Sequence, residues 1–401
     1  MPENRNNKGD LKPITVLCAM DVYLPQMDGV INCMRNYLLN YPEDVKGVAA
    51  CPKPREELHE PYPIIYYRSF RVPFTKIDFG FPSLDKKFYN TVMNTDIDLI
   101  HVHAPFGVCK VLTKVAREKN IPIVSHVHTN YREVFRKITR NPLIYIPYVN
   151  TLGKRYSKTD VMFAGTEATE RLLRRDYKYT GEVSIVPFGT NLLKPDDIDS
   201  LKKAANERFS LGEDEFVFCT VSRIVRSKRI QFSLEALAEA KKRGRRFRFI
   251  IGGTGNYVKN LELKIKQLGL ENEAIMAGYV SDEVLARIYA RADMFLFPSV
   301  QDTFGLVKVE AAAFGTAGLF IEGSDAAYGT ENGVNSVHID DDLGSFTDAV
   351  CECVDNPDFT RKIGENASRD LYFTWQDSAK LISAEYRRII EDHRKKFGEK
   401  R

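Results

Sequence analysis

The sequence predicts an α/β protein made of two doubly wound domains, each a parallel sheet covered by helices. The chain has 401 residues, which is too long for one typical domain of this class. Short apolar runs alternate with longer amphipathic stretches, and the alternation breaks once near the middle. Because the short runs are apolar at successive positions, they are typical of strands buried on both faces of a parallel sheet.

The first half of the chain alternates from its first apolar run onward. Residues 14–20 are the first predicted strand and residues 30–39 the first helix. Further strands are predicted at 47–51, 64–67, 97–101, 121–126, 161–164 and 183–186, with helices such as 108–119 and 167–175 between them. This βαβα order favours a parallel sheet with helical connections.

A loop-rich segment between Pro187 and Pro195 interrupts the alternation, and we place the domain boundary there. The pattern restarts with predicted strands at 216–221, 247–251, 274–277, 294–297 and 318–321, and it closes with a helix at 376–395. We therefore predict domains at residues 1–190 and 191–372, followed by a C-terminal segment at 373–401.

Several classes of protein are disfavoured by composition. No segment offers the roughly 18 apolar residues of a membrane-spanning helix, and the polar first residues do not resemble a signal peptide. The seven cysteines are scattered without a Cys-x-x-Cys pair, as expected in a reducing compartment. We expect a cytoplasmic protein.

Positive charge is concentrated between residues 101 and 190, where fifteen Lys and Arg face seven Asp and Glu. Such an excess predicts an anionic partner, for which phosphates, an anionic membrane face and nucleic acid are candidates. Within residues 131–158 the basic side chains flank an apolar run at 143–148. This segment is either a lipid-facing surface or a solvated helix face beside a core strand or turn.

Two groups of residues in the first half follow predicted strands. Gly29 lies in the loop at 21–30, where a ligand could approach the backbone at a helix N-terminus, although an ordinary βα loop is an equal interpretation. The triplets His101-Val-His103 and His126-Val-His128 end adjacent strands. Four imidazoles can bind Zn²⁺, but no Cys or carboxylate accompanies them in the motif. The favoured interpretation is that His128 faces the ligand and the others pack locally.

In the second half, Arg223 and Lys228 follow the first strand and could clamp a diphosphate, or they could belong to a solvated basic loop. The glycine-rich turn at 252–255 lacks the spacing of a dinucleotide fingerprint. It is either a ligand-facing turn or a plain one.

The segment at 298–311 carries the most specific pattern. A predicted strand ends at Pro298, Asp302 lies in the loop, and Gly305 begins a helix whose free N–H groups can face phosphate. Glu310 follows within apolar surroundings, where a carboxylate needs partners such as sugar hydroxyls.

Asp302-x7-Glu310 around Phe304-Gly305-Leu306 resembles the Glu-x7-Glu motif of the retaining glycosyltransferases of family 4. Ser222-Arg223 with Lys228, and the segments 25–30, 125–131 and 373–375, fit the same family, and the similarity covers nearly the whole chain. Within the family, the segments 23–30, 103–106 and 128–131 are most similar to bacterial diacylglycerol glucosyltransferases.

The resemblance implies the GT-B fold, in which two Rossmann-like domains face each other across a cleft and the last helix crosses back to the first domain. The N-terminal domain would bind the acceptor and the C-terminal domain the nucleotide-sugar. The roles it implies are these: Arg223 and Lys228 on the donor diphosphate, Glu310 on the ribose, Asp302 on sugar hydroxyls, the backbone of Thr303, Phe304, Gly305 and Leu306 on sugar and phosphate, Gly29 on the phosphate and His128 beside the donor sugar.

The implied activity is metal-independent transfer of a hexose from a nucleotide-sugar such as UDP-glucose to a membrane lipid such as diacylglycerol. We expect no metal site, no cofactor, no nucleic acid and peripheral attachment to the inner membrane face. Transfer to a capsule or cell-wall glycan and a catalytically silent partner subunit are the alternatives. Asp302 stands where the family usually has Glu, which leaves the donor sugar open. Ala317 and the segment 335–338 also depart from the family pattern.

Overall fold

The computed structural model describes residues 12–23, 29–71, 78–300 and 305–398. Their contacts divide the chain into two compact units. Unit 1 comprises residues 1–188 together with 375–401, and unit 2 comprises residues 189–374. Each unit is described separately below.

Unit 1 is built on a seven-stranded parallel sheet in the order β3-β2-β1-β6-β7-β8-β9. A separate antiparallel pair, β4-β5, forms part of the connection between β3 and α2. Up to Phe188 the elements are β1 (Ile14–Ala19), α1 (Gly29–Asn40), β2 (Val45–Pro52), β3 (Ile64–Tyr67), β4 (Ser69–Arg71), β5 (Asp78–Gly80), α2 (Lys86–Asn94), β6 (Leu99–Val102), α3 (Gly107–Lys119), β7 (Ile123–Val127), α4 (Tyr131–Thr139), α5 (Pro142–Tyr156), β8 (Val161–Ala164), α6 (Glu167–Tyr177) and β9 (Glu182–Ile185).

Unit 2 is built on a six-stranded parallel sheet in the order β12-β11-β10-β13-β14-β15. Its elements are α7 (Ile198–Phe209), β10 (Val217–Val221), α8 (Ile230–Lys242), β11 (Arg248–Gly252), α9 (Val258–Leu268), β12 (Ala274–Gly278), α10 (Asp282–Arg291), β13 (Met294–Phe297), α11 (Leu306–Ala312), β14 (Ala317–Ile321), β15 (Ser336–Ile339), α12 (Leu343–Asp355) and α13 (Pro357–Asp370).

The sheet of unit 2 separates two apolar cores. Along β10, Phe218 belongs to one core while Val217 and Cys219 belong to the other. Successive side chains of a strand point to opposite faces, so each face of the sheet needs its own covering layer of helices. This is the physical reason why every residue of β10 is buried and why the strand appears in the sequence as a continuous apolar run.

The last helix, α14 (Trp375–Phe397), completes unit 1 rather than unit 2. The Ser378 hydroxyl donates to the Pro187 carbonyl at 2.6 Å, and the Tyr386 hydroxyl lies 2.7 Å from Nδ1 of His101. The rings of Trp375 and of Tyr37 on α1 pack edge to face, with their centres 5.4 Å apart. Residues from both ends of the chain therefore share one core.

The predicted strands and helices occur with ends shifted by one or two residues, but three features differ from expectation. The sequence pattern did not identify the β4-β5 pair or the edge strand β15. The apolar run at 143–148 is neither a core strand nor a turn, because it lies in α5, a helix with Pro147 inside it. Among the described ranges, no helix is both long enough and apolar enough to cross a bilayer.

Candidate active site

The strand order reverses once within each sheet, and candidate residues of each unit follow strands beside that reversal. The order reverses between β1 and β6 in unit 1 and between β10 and β13 in unit 2. In open parallel sheets, ligands bind beyond the carboxyl ends of the strands at such a switch point. The loops after β10 and β13 carry Arg223, Lys228 and Gly305, and the loop after β1 leads to Gly29.

In unit 2 the loop after β10 is held by the glycine-rich turn after β11. The amide of Ser222 donates to the Gly252 carbonyl at 3.1 Å, and the amide of Ile224 donates to the Thr254 carbonyl at 2.8 Å. A Cβ on Gly253, which has φ +124°, would lie 1.9 Å from the Ser222 carbonyl oxygen. The glycines are therefore required by close backbone packing, which supports the interpretation of a plain turn.

This packing fixes the backbone on both sides of Arg223. The Arg223 side chain is exposed, and no carboxylate partner for it occurs in the part of the chain that the structure describes. The ammonium of Lys228 lies 4.9 Å from the centre of the Phe297 ring, so it stands over the carboxyl end of β13. Two cations on one anchored loop can approach a diphosphate from different sides.

The loop after β13 leads into the short helix α11. Gly305 takes a left-handed conformation with φ +66° immediately before the helix, and a Cβ there would lie 3.4 Å from the Cα of Ala326. Ser299, just after β13, is buried and its hydroxyl has no hydrogen-bond partner within the described residues. Leu306 is the first residue of α11. Asp302, Thr303 and Phe304 lie outside the described residues, as do residues 24–28.

Lys308 anchors α11 to the next loop of the sheet. Its ammonium is buried and donates to the carbonyls of Ala326, at 3.1 Å, and Tyr328. The side chain thus ties the segment of the Asp302-x7-Glu310 pattern to the loop after β14. Lys308 was not identified from the sequence, although a lysine flanked by Val307 and Val309 is a visible signal.

Glu310 lies on the same helix in a half-buried position. Burial raises the pKa of its carboxyl group to about 7, and the hydrogen bond from the Tyr289 hydroxyl at 3.3 Å opposes that rise. Near neutral pH the carboxyl group is therefore divided between its neutral and charged forms. Such a group can accept hydrogen bonds from vicinal hydroxyls of a sugar.

In unit 1 the loop after β1 is tied to the start of α3. Oδ1 of the buried Asp21 accepts from the Val108 amide at 2.9 Å, while burial raises the pKa of this carboxyl group to about 7. Gly29 is the first residue of α1, and a Cβ there would meet no atom within 4 Å. The space around Gly29 is open, in contrast to the crowded glycines of unit 2.

The four histidines come together at the carboxyl ends of β6 and β7. His101, His103 and His126 are buried, and His128 is partly exposed. Nδ1 of His103 lies 3.0 Å from Nε2 of His128, and His128 also stacks on Phe188. Burial lowers the pKa of all four imidazoles, that of His128 to about 3, so the cluster is neutral. His128 is the member of the cluster that reaches the surface.

The helices α4 and α5 present an apolar and basic face, which we call the α4–α5 face. No residue of α4 is buried, and the helices meet where the Phe135 and Tyr148 rings lie 4.6 Å apart. The exposed apolar residues of the face are Val134, Ile138, Leu143, Ile144, Ile146 and Tyr148. Leu143 is 83% exposed and Ile138 is 70% exposed, and several exposed apolar side chains on two contacting helices are typical of an interaction surface.

Two protein-family models match the chain, one in each half. Residues 44–192 match the model described as Glycosyltransferase Family 4. Residues 202–370 match the model described as Glycosyl transferases group 1. The first match contains β2 to β9 of unit 1, and the second contains β10 to β15 of unit 2.

Individual relatives agree with the family models. The alpha-monoglucosyldiacylglycerol synthase of Streptococcus pneumoniae is 26% identical over 305 residues, covering 74% of this chain and 68% of the relative. The enzyme of the same name from Acholeplasma laidlawii is 26% identical over 310 residues, covering 73% and 76%. Among solved structures, Anabaena HepE in complex with UDP and glucose aligns with a TM-score of 0.70 at 18% identity, covering 94% of this chain and all of that one.

Proposed function

The chain is a family 4 glycosyltransferase with the GT-B fold, and on that premise we propose that it transfers glucose from UDP-glucose to a membrane diacylglycerol with retention of configuration. The observation that carries the lipid acceptor is the α4–α5 face, where apolar side chains stand exposed among basic ones. The alpha-monoglucosyldiacylglycerol synthases, at 26% identity, support the same acceptor class.

The donor is assigned to the switch point of unit 2. Arg223 and Lys228 would bind the diphosphate and stabilise the negative charge that grows as the bond between sugar and phosphate breaks. Glu310 would bind the ribose hydroxyls, and the backbone at Gly305 and Leu306 would meet the sugar and phosphate. These two cations supply the electrophilic assistance, so the transfer itself is proposed to need no metal ion.

The reaction balances without a nucleophile from the protein. The acceptor hydroxyl attacks the anomeric carbon on the face that the diphosphate leaves, and the sugar–phosphate bond breaks as the new glycosidic bond forms. The acceptor proton passes to the departing phosphate oxygen. In this proposal Asp302 holds sugar hydroxyls, Gly29 contributes a backbone contact and His128 lies beside the sugar.

The α4–α5 face is proposed to dock on an anionic bilayer. Arg132 pairs with Asp176 and Arg136 pairs with Glu133, so part of the positive charge is compensated. Arg140 at the end of α4 is exposed, as is Ile138 two residues before it. Each basic residue near an anionic surface contributes about 1 kcal/mol, and apolar insertion adds a part that salt does not screen.

The test combines vesicle binding with product analysis. We expect co-sedimentation with phosphatidylglycerol vesicles that weakens in high salt and with Arg132, Arg136, Lys137 and Arg140 changed to Ser. The double variant Leu143→Ser, Ile144→Ser should lose the part of the binding that salt does not weaken. Leu263→Ser, which changes a leucine of unit 2 that is as exposed as Ile144, should bind like wild type. Mass spectrometry with UDP-glucose and diacylglycerol should detect a glucosylated lipid.

The remaining outcomes separate the alternatives. Absence from vesicles at low salt, together with product on a soluble glycan, would replace the lipid acceptor by a capsule or cell-wall acceptor. Absence of both transfer and donor hydrolysis with a panel of UDP- and GDP-sugars would indicate a silent partner subunit.

A further inference from the structure

One imidazole of the histidine cluster is joined to another by a hydrogen bond. His103 follows β6 and His128 follows β7, and Nδ1 of His103 lies 3.0 Å from Nε2 of His128. The two ring planes are inclined by only 13°, and the ring centres are 5.2 Å apart, which is close to this N–N distance plus the two ring radii. The hydrogen bond therefore lies near the plane of both rings, where the N–H and the lone pair of ring nitrogens point.

His103 is the more firmly held of the two residues. Its side chain is buried, and its amide donates to the Ala19 carbonyl at 2.8 Å, which ties the end of β6 to β1. His128 is partly exposed and lies where the chain leaves β7. A buried ring on an anchored backbone can orient a more exposed ring, so His103 is the residue that orients and His128 the residue that is oriented.

Ring stacking fixes the plane of the His128 imidazole but not the positions of its nitrogens. The His126 ring lies 4.4 Å away with 22° between the planes, and the Phe188 ring lies 5.5 Å away with 19°. A half-turn about the Cβ–Cγ bond keeps the plane and the stacking, but it exchanges ring nitrogens with ring carbons. The hydrogen bond to His103 removes this ambiguity, because it requires Nε2 to face His103. The nitrogen of His128 left for a ligand is then Nδ1.

A single proton lies between the two nitrogens, because both rings are neutral. Burial, reinforced by the neighbouring imidazoles, lowers the pKa of His103 well below its ordinary value, and burial lowers that of His128 to about 3. Nε2 of His103 is buried without a hydrogen-bond partner among the described residues. For backbone groups, a buried donor without an acceptor is rarer than an under-satisfied acceptor, and we apply the same order here. The proton of His103 therefore belongs on Nδ1, and Nε2 is the bare nitrogen.

We propose that His103 is a positioning residue that holds His128 in its Nδ1-protonated form. Nδ1–H of His103 donates to Nε2 of His128, so the proton of the His128 ring lies on its own Nδ1 and can be donated to a sugar hydroxyl oxygen. The contact with sugar rests on the proposed function, which puts His128 beside the donor sugar, whereas the tautomer does not. His103 acts through His128 and needs no contact with the substrate.

Nitrogen NMR of the intact chain tests the tautomer without any substrate. In protein labelled with ¹⁵N-histidine, the chemical shifts of the two ring nitrogens, and their couplings to the protons on the ring carbons, show which nitrogen carries the proton. Wild type near neutral pH should show His128 protonated at Nδ1, and loss of its signals in His128→Gln assigns them. A His128 ring that is protonated at Nε2, or divided between the two forms, would overturn the proposal.

Two variants of similar size separate the hydrogen bond from packing. The amide nitrogen of asparagine can stand near the position of Nδ1 and donate to His128, whereas leucine has no donor. His103→Asn should keep His128 protonated at Nδ1, and His103→Leu should give a mixture of both forms. The control His126→Phe changes a stacked ring whose nitrogens have no hydrogen bond within the described residues, and it should keep the wild-type form. Circular dichroism checks folding, and identical His128 signals in folded Asn and Leu variants would contradict the proposal.

A double-mutant cycle connects the hydrogen bond to sugar transfer. We expect His103→Leu to lower kcat/KM for UDP-glucose by about tenfold and His103→Asn to lower it less. In a His128→Ala background, His103→Leu should change kcat/KM by less than about twofold, because no ring is left to orient. A tenfold loss that persists in that background would assign His103 to packing alone and overturn its positioning role. If wild type transfers no glucose, the proposed function fails, and the NMR result alone decides the tautomer.

Discussion

The hydroxyl of Tyr289 on α10 donates a hydrogen bond across 3.3 Å to the carboxylate of Glu310 on α11. Tyr289 is fully buried, and its own pKa is raised by burial and by this carboxylate, so it remains a donor across the accessible pH range. The hydrogen bond holds one carboxylate oxygen and leaves the other available for a ligand. This geometry leads to two separate predictions for Glu310.

Loss of the Glu310 carboxylate should weaken donor binding more than it slows chemistry. A ribose contact is made equally in the ground state and the transition state, so its loss raises KM and leaves kcat nearly intact. We expect an increase in donor KM of about tenfold or more for Glu310→Ala and a smaller one for Glu310→Gln. Steady-state kinetics with varied UDP-glucose measures both, with Glu262→Gln as an exposed control. Unchanged KM with lower stability would assign Glu310 a structural role only.

Glu310 should also make unfolding depend on pH. Because its pKa is raised from 4.5 to about 7, the folded state is penalised once the group ionises. The contribution of the neutral carboxyl group to the free energy of unfolding is fully present below pH 4.5 and is lost as the pH rises through 7. Glu310→Gln should therefore match wild type at low pH and exceed its free energy of unfolding by up to about 3 kcal/mol at pH 8. A difference that stays constant between these limits would contradict the raised pKa.

Removal of either cation after β10 should reduce turnover strongly. Charge-assisted hydrogen bonds to a diphosphate contribute roughly 1.5–3 kcal/mol each, and they strengthen as charge develops on the leaving group. We expect kcat/KM to fall by about 100-fold or more in Arg223→Ala and in Lys228→Ala. Arg226→Ala, in the same loop, is the matched control and should stay within a fewfold of wild type. Rates near wild type in both test variants would refute the assignment.

A methyl group at Gly253 should disrupt the loop that carries Arg223. The added Cβ would lie 1.9 Å from the Ser222 carbonyl oxygen, and φ +124° is unfavourable for alanine. We expect Gly253→Ala to lower the free energy of unfolding by roughly 2 kcal/mol or more. Gly29→Ala, with open space around the new methyl group, should unfold like wild type. Equal free energies of unfolding of the two variants in chemical denaturation would show that the close contact between residue 253 and Ser222 does not determine stability.

The parallel sheets were predictable because strands buried on both faces leave continuous apolar runs. Every residue of β10 and of β13 is buried, so each strand is a continuous apolar run in the sequence. Such a run can be identified without knowledge of the neighbouring strands. The edge strand β15 is only partly buried, and its residues Ser336 and His338 interrupt the apolar run. A short polar strand of this kind becomes recognisable only when its neighbour β14 is in place.

Some residues of the candidate site can likewise be identified from local sequence, and others cannot. Arg223, Lys228 and Glu310 stand in motifs or next to strands, so local sequence identifies them. Lys308 reaches the carbonyls of Ala326 and Tyr328, and neither partner could be inferred from the sequence since backbone acceptors leave no mark on residue type.

The path of the chain imposes an order on its synthesis. Unit 2 is an insertion within unit 1, and its entry and exit are neighbours, since the Thr190 amide donates to the Phe373 carbonyl at 2.9 Å. A ribosome therefore completes the whole of unit 2 before it makes Trp375 and Tyr386. Until these residues emerge, Tyr37 and His101 lack their α14 partners. A nascent chain that stops at residue 374 would contain all residues of unit 2 but a unit 1 that lacks α14.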